Sequence, residues 1–492
     1  MKRANQSHGA YNHVLRYTSL FGGVQGFNML MSFVRNKVVA VLLGSVGIGL
    51  IDLYNRTLSF LTAITSLIAP VASVRVLSVA HESEDVDELN KQIKIVRSWT
   101  LLTAIVAFTL CIIFSPLISE FTFHDYLHMH RVIALSPILP LVAISGSELS
   151  ILKATRQLSR LAWSSFYGAI ALAAISIPLY FLLGTTGIVP ALVLSTAAVC
   201  AIQLCYTLPL HPWHVSPFKL SVLRQGKSLV HLSIMYTLAG IAASASELII
   251  RSFIVSQDKV SMVGLYSAGI IITIAAAKFL FVAMDADYFP RLSGCCKRNA
   301  RMNVTINRQL EVCVLLLAPF LIVFNMFMPF IVRLLFSSQF LSIVPMAILA
   351  TFYMFCKAIT TPIAYLPLAH SDGHIYFLLE TSYYVLFSIL VITFYYFWQL
   401  PGAGIALSLS NIIENVGLSL IYHKKYRFSY SHCAQQIILL QGILVVAGVI
   451  LALNSCIFLK YSAGTVVFIV SLLYSYHILS KRSTIRGIFK RQ

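Results

Sequence analysis

Residues 33–61 read FVRNKVVAVLLGSVGIGLIDLYNRTLSFL. The stretch is apolar enough for lipid, yet it carries Arg35, Lys37, Asp52 and Arg56. A turn signal at Gly44-Ser45-Val46 divides it, so it reads as two antiparallel helices. Arg35 lies about ten residues from the turn on one helix, and Arg56 about ten on the other, which at 1.5 Å per residue is roughly 15 Å. That depth is the middle of a hydrocarbon layer about 30 Å thick. An arginine at a helix centre costs about 2.5–3.5 kcal/mol on insertion scales. Such charge needs a partner, a water-filled cavity or a charged guest.

The rest of the chain has the same character. Of its 492 residues 58% are hydrophobic and only 11% charged, with a mean hydropathy of +0.83. Soluble domains carry about 25% charged residues, so no water-soluble surface can be built from this composition. The expected fold is an all-α polytopic membrane protein of about fourteen helices. These run near 17–43, 47–72, 99–119, 131–151, 163–183, 187–207, 229–251, 263–284, 310–333, 343–368, 376–398, 403–422, 435–456 and 460–480. The first apolar run follows a short head with Lys2, Arg3 and Arg16 and no small-residue cleavage site, so it is expected to stay as a helix. Segments 73–98, 208–228 and 285–309 read as longer polar connections.

The net charge of +19 is a topology signal. The two ends and the loops after each even helix hold 26 of the 36 Lys and Arg residues. Positive loops stay in the cytoplasm, so both termini are expected there. Attraction to anionic headgroups follows. Nucleic acid is not implied, because no basic aromatic platform accompanies the charge.

A shift of 215 positions lays VGLYSAG (263–269) under IGLIDLY (48–54), with Gly49-Leu50 on Gly264-Leu265. Each half then has six helices: residues 1–210 form one lobe, 211–228 a linker, 229–430 a second lobe, and 431–492 two further helices with a basic tail. Transporters are often built from such repeated bundles, with substrate between them.

The intramembrane charges are the candidate site. Asp52 precedes Arg56 by one turn and partly neutralises it. Arg35 and Lys37 have no acidic partner in their own helix. The surplus implies water or an anionic guest, and a guanidinium fork suits phosphate oxygens. Glu247 and Arg251 form an i,i+4 pair on the seventh helix; Lys278, Lys357 and Glu414 lie on later ones, and Glu148 on the fourth. Each carboxylate suits either a coupling proton or Na+, or a bond between helices. Prolines such as Pro178, Pro319 and Pro362 fall within spans and permit bending.

Enzymatic signals are missing. There is no Walker A, HExxH or GxSxG sequence. The nine cysteines form no CxxC pair, and adjacent Cys295 and Cys296 are not expected to bridge. His124, His128 and His130 share one short outer loop, where the first two could meet on a helical face; a solvated loop is the plainer reading. No enzyme activity, metal, disulfide or cofactor is expected.

The opening segment TSLFGGVQGFNMLMSFVRNKVVAVLLGSVGIGLIDLYNRTLSFLTAI resembles the start of O-antigen translocases, the Wzx-type polysaccharide flippases, in its basic residues followed by Gly44, Gly47, Gly49 and Leu50. These belong to the superfamily of multidrug and toxic-compound extrusion transporters and lipid II flippases. The likeness covers roughly residues 18–75; the rest agrees in topology. It implies two six-helix lobes around a central cavity plus two C-terminal helices. It also implies a polyprenyl-pyrophosphate-linked oligosaccharide as substrate, moved from the inner to the outer face of a bacterial inner membrane, amid membrane lipids and other polysaccharide assembly proteins. In lipid II flippases arginines of helices 1, 2 and 8 hold the pyrophosphate. Carried over, these positions are Arg35 or Lys37, Arg56 and Lys278, the last a lysine where the family has arginine. Asp52, Glu247, Arg251 and Glu414 would then couple transport or balance charge. A cation antiporter would need an acidic cavity instead, and a membrane polymerase or transferase a large outer loop.

Overall fold

The computed structural model describes residues 23–66, 70–83, 85–217, 219–225, 227–295, 298–370, 372–454 and 456–482. Among them all regular structure is helical. The chain forms α1 (23–42), α2 (Gly44–Thr65), α3 (Pro70–Glu82), α4 (Val86–Ile113), α5 (Ser115–Phe123), α6 (Met129–Leu135), α7 (Ile138–Ala154), α8 (Leu158–Leu183), α9 (Ile188–Thr207) and α10 (Leu220–Gln225). It continues with α11 (Lys227–Gln257), α12 (Val260–Cys295), α13 (Asn299–Met326), α14 (Met328–Leu335), α15 (Val344–Ala364), α16 (Leu366–Ala369), α17 (Gly373–Tyr426), α18 (His432–Leu453) and α19 (Ile457–Arg482).

Nine segments of the described residues are long and apolar enough to cross a membrane. Two of them, Leu158–Thr207 and Gly373–Tyr426, hold 50 and 54 residues, more than twice the ~20 that one crossing needs. Both double back. A Cβ at Gly187 would strike the Leu179 carbonyl, and one at Gly402 the Phe394 carbonyl, each eight residues earlier. In a straight helix that separation is about 12 Å. The turns share one backbone conformation: Gly184 has φ 57° and ψ −134°, Gln399 φ 49° and ψ −134°. Counting both limbs of each hairpin, and adding α1, α2 and α12, gives fourteen helical passes over the described residues. The chain is a multi-pass membrane protein.

The two hairpin turns are also 215 residues apart, the shift that aligns Gly49 with Gly264. At that pair α2 crosses the start of α12 at backbone contact: a Cβ on Gly49 would meet the Val260 carbonyl, and one on Gly264 the Ser45 carbonyl. Small residues at a crossing let membrane helices approach closely enough for van der Waals packing to hold them.

The chain divides into two compact units, 1–264 and 265–492. In the first, α2 packs on α11, α4 on α7, and α9 on both α7 and α8. In the second, α13 lies against α15, α18 and α19, and α15 against α17. Its core joins Leu310, Val314, Leu317 and Leu321 of α13 to Met354 and Ala358 of α15 and to Val445 of α18.

Two of the connections expected to be polar loops are largely helix. Residues 73–98 fall in α3 and α4, and 285–309 in α12 and α13. Asp85 caps α4, its carboxylate accepting from the Asp87 and Glu88 amides at 3.0 and 3.2 Å. Hydropathy marks where a helix leaves the apolar layer, and capping marks where it ends; here the two lie more than ten residues apart.

Candidate functional site

The second helix has two faces. Leu53, Tyr54, Leu58 and Leu61 are buried. Asp52, Asn55, Arg56, Ser59, Thr62 and Ser66 recur at three- and four-residue spacing and line a cavity of about 680 Å3. Leu58 and Ala63 of α2, Ile138 and Val142 of α7, Leu192 and Thr196 of α9, and Tyr236, Thr237, Gly240 and Ser244 of α11 complete its wall. All these residues belong to the first unit.

Four charges meet beside this cavity. Arg56 Nε lies 3.2 Å from Asp52 Oδ1, and Arg56 Nη1 2.7 Å from Glu247 Oε2. Arg251 Nε pairs with Asp52 Oδ2, and Arg251 Nη1 sits 3.1 Å from Glu247 Oε2. Arg251 Nη1 also donates to the Glu247 carbonyl at 2.9 Å. Each arginine therefore touches both carboxylates, and the quartet is electrically neutral. The sequence reading gives Arg56 a single partner, Asp52. The structure adds Glu247, because α11 packs along α2 and brings it to the same level from nearly 200 residues away. The two arginines are not equivalent. Arg251 is 2% exposed and fixed on every side, whereas the Arg56 side chain is 35% exposed and lies on the cavity wall.

The remaining candidates are dispersed. Arg35 is half-buried on α1, lies beside Tyr180 of α8 and takes no part in the quartet; no carboxylate among the described residues is within ion-pair distance of it. Lys37 is half-buried on the same helix, and neither residue is among those that line the cavity. Arg35 and Arg56, placed at one depth by the sequence, thus do not both line this cavity: equal depth is read from a sequence, but the direction each helix faces is not. The side chain of Lys278 lies outside the described residues. Glu148 is wholly buried and held by Arg97 in a fork, Nε to Oε1 and Nη2 to Oε2 both at 2.7 Å. Arg97 Nη1 further donates to the carbonyls of His211 and Pro212, and its guanidinium lies 5.0 Å from the Trp213 ring. This pair fastens the segment after α9 to α4 and α7.

In the second unit Glu414 accepts from Asn411 Nδ2 at 2.9 Å and lies 3.8 Å from Lys357 Nζ. Glu414 shares a small cavity of about 20 Å3 with Glu380, which sequence reasoning passed over. The signal was present in FLLETSYY (377–384), an acid alone in an apolar run. The polar stripe of α2 was equally legible as a period and was missed. The outer-loop histidines part company: His124 Nε2 meets the Ser252 carbonyl at 3.1 Å, and His128 Nδ1 the Tyr54 hydroxyl at 3.2 Å.

A family model described as "Polysaccharide biosynthesis protein" matches residues 14–295, more than half of the chain. No curated protein matches. Among solved structures, a lipid II flippase MurJ in an inward closed conformation is similar with a TM-score of 0.69 at 15% identity, over 94% of this chain and 99% of that one. An inward-facing multidrug resistance MATE family transporter of the MOP superfamily gives 0.64 at 13%, over 81% and 94%. The MATE multidrug transporter DinF-BH gives 0.58 at 15%, over 83% and 95%. At these identities the likeness is one of fold.

Proposed function

Because the chain belongs to the polysaccharide biosynthesis protein family, we propose that it is a flippase for a polyprenyl-pyrophosphate-linked oligosaccharide, an O-antigen or related repeat unit. It carries the polar head from the cytoplasmic to the outer face of a bacterial inner membrane by alternating access, without catalysis or cofactor, and both its termini are cytoplasmic. The observation that carries this reading is the exposed edge of Arg56 on a polar cavity within a membrane-spanning unit. At about 680 Å3 the cavity is of the size that takes a small polar group. A pyrophosphate competes there with Glu247 for the guanidinium, and Arg251 holds Asp52 and Glu247 in place meanwhile. Arg35 is the second cation of the pathway, with Lys37 and Lys278 completing the proposed set. The likeness to a lipid II flippase agrees in fold.

A home for the lipid tail supports the same reading. In the second unit Phe352, Phe355, Ile359, Ile412, Ile438 and Ile443 line an apolar groove of about 420 Å3 between α15, α17 and α18. A prenyl chain suits such a surface. A negative-inside potential drives an anionic head outward by about 2.3 kcal/mol per charge per 100 mV, so no coupling ion is required.

A second reading has one observation in its favour. Glu380 and Glu414 stand near one lysine, Lys357, which is a negative surplus that an organic cation would suit. The deciding experiment reconstitutes the protein in liposomes and follows a fluorescent polyprenyl-pyrophosphate oligosaccharide across the bilayer. We expect wild type to flip it, Arg56→Ala and Arg35→Ala to slow it at least about tenfold through loss of a charge-assisted contact, and Arg56→Lys to recover part of the rate. Undiminished flipping by folded Arg56→Ala protein would remove Arg56 from the site.

A further inference from the structure

Beside the cavity a second space opens between α2, α3, α4 and α7. It measures about 170 Å3 and shares Thr62, Ser66 and Val142 with the cavity, so the two are adjacent. Thr65, Ser73, Thr100, Thr103, Ser147 and Ser150 bring hydroxyls to it, and no charged side chain among the described residues lines it.

The hydroxyls are poised to accept. Thr65 donates to the Leu61 carbonyl at 2.7 Å, Thr103 to Thr100 at 3.0 Å, and Ser150 to Gly146 at 2.8 Å. A hydroxyl whose proton is spent on its own helix still offers lone pairs. Ser147 differs: it is only 7% exposed, and its Oγ has no hydrogen-bond partner among the described residues. An unmade hydrogen bond on a buried group costs about 1–3 kcal/mol, and Ser147 is one of the residues that line this space. Gly146 adds room, since a Cβ there would meet nothing within 4 Å.

We infer that this crevice is a subsite for one neutral sugar ring of the cargo, resting on the flippase reading above. The absence of charge in the wall selects a neutral polyhydroxyl group over an ion. A ring of sugar hydroxyls supplies donors to the spent Thr and Ser oxygens, and both a donor and an acceptor to Ser147. The volume is about six times the ~30 Å3 of a liquid water, room for one ring and not for a chain of them. The spacing agrees as well. Thr62 stands six residues beyond Arg56 on α2, about 9 Å along the axis, so a pyrophosphate held at Arg56 places its first sugar at the mouth of the crevice.

The test measures binding of two synthetic probes to detergent-solubilised full-length protein: a short-chain prenyl pyrophosphate bearing one hexose, and the same lipid without sugar. Wild type should bind the sugar-bearing probe about tenfold more tightly, the worth of one or two net hydrogen bonds. Gly146→Leu fills the crevice and should abolish that preference while leaving the sugar-free probe within about twofold. Ser147→Ala removes one oxygen with little risk to folding and should reduce the preference by several-fold. If both variants keep the full preference, the crevice holds water only and the inference is wrong, while the flippase reading stands. If wild type binds neither probe, the flippase reading fails and the inference with it.

Discussion

A charge in a membrane is decided by what surrounds it. Arg97 and Glu148 are 2% and 0% exposed and grip each other in a fork, with two backbone carbonyls completing the arginine. Glu148→Gln leaves a buried guanidinium without its counter-charge, and we expect a loss of about 3–5 kcal/mol, seen as a marked drop in melting temperature in detergent. The double variant Arg97→Met/Glu148→Leu should recover much of it, because an apolar pair of similar size leaves no charge stranded. The sequence shows both residues but not their meeting, since they lie 51 positions apart on different helices. The same holds for Arg56 and Glu247. What the sequence does show is the local part: Asp52 one turn before Arg56, and Glu247 one turn before Arg251, both found as ion pairs. Gln399 offers a further residue-scale test. It holds φ 49° and ψ −134°, where the equivalent turn has Gly184. A side chain there costs about 1–3 kcal/mol. Gln399→Gly should therefore raise stability by about 1 kcal/mol, and Gly184→Gln should lower it by a similar amount or more, each read from thermal unfolding.

At the scale of elements, pattern and period carry far. The fourteen apolar runs and the tight turns near Gly44, Gly184 and Gln399 follow from hydropathy and glycine placement, and the structure has them. Helix ends are less legible. Polar residues 86–98 are an extension of α4, capped by Asp85 and supported by Glu88 with Lys91 and Gln92. Nothing in hydropathy separates such an extension from a loop. The crossing of Gly49 and Gly264 is the element-scale contact most exposed to test. Gly49→Leu drives a side chain into the Val260 carbonyl, and overpacking of this kind costs about 3 kcal/mol or more. We expect poor monodispersity on size exclusion, with Gly49→Ala milder. The apolar groove gives the converse case. A Cβ at Gly442 would just touch the Phe355 ring at 3.4 Å, so Gly442→Phe extends into the groove. Flipping of a long-chain lipid should fall several-fold while the protein remains folded.

The whole molecule combines a polar, charge-balanced cavity in one unit with an apolar groove in the other. Neutrality of the quartet bears on release as well as capture. A cavity with unpaired cations would hold a pyrophosphate tightly at either face. On the proposed function, exchange between Glu247 and a pyrophosphate at the Arg56 guanidinium would leave the other pairs of the quartet in place, and the guest would depart as Glu247 returns. The most direct measurement compares direct binding of a prenyl-pyrophosphate oligosaccharide with that of a cationic dye, on wild type and Glu247→Gln protein. Wild type should bind the anionic lipid in preference to the dye, and Glu247→Gln should bind the lipid more tightly because Arg56 has lost its competing carboxylate. Preferential binding of the dye, or a lipid affinity that Glu247→Gln leaves untouched, would contradict the proposed function.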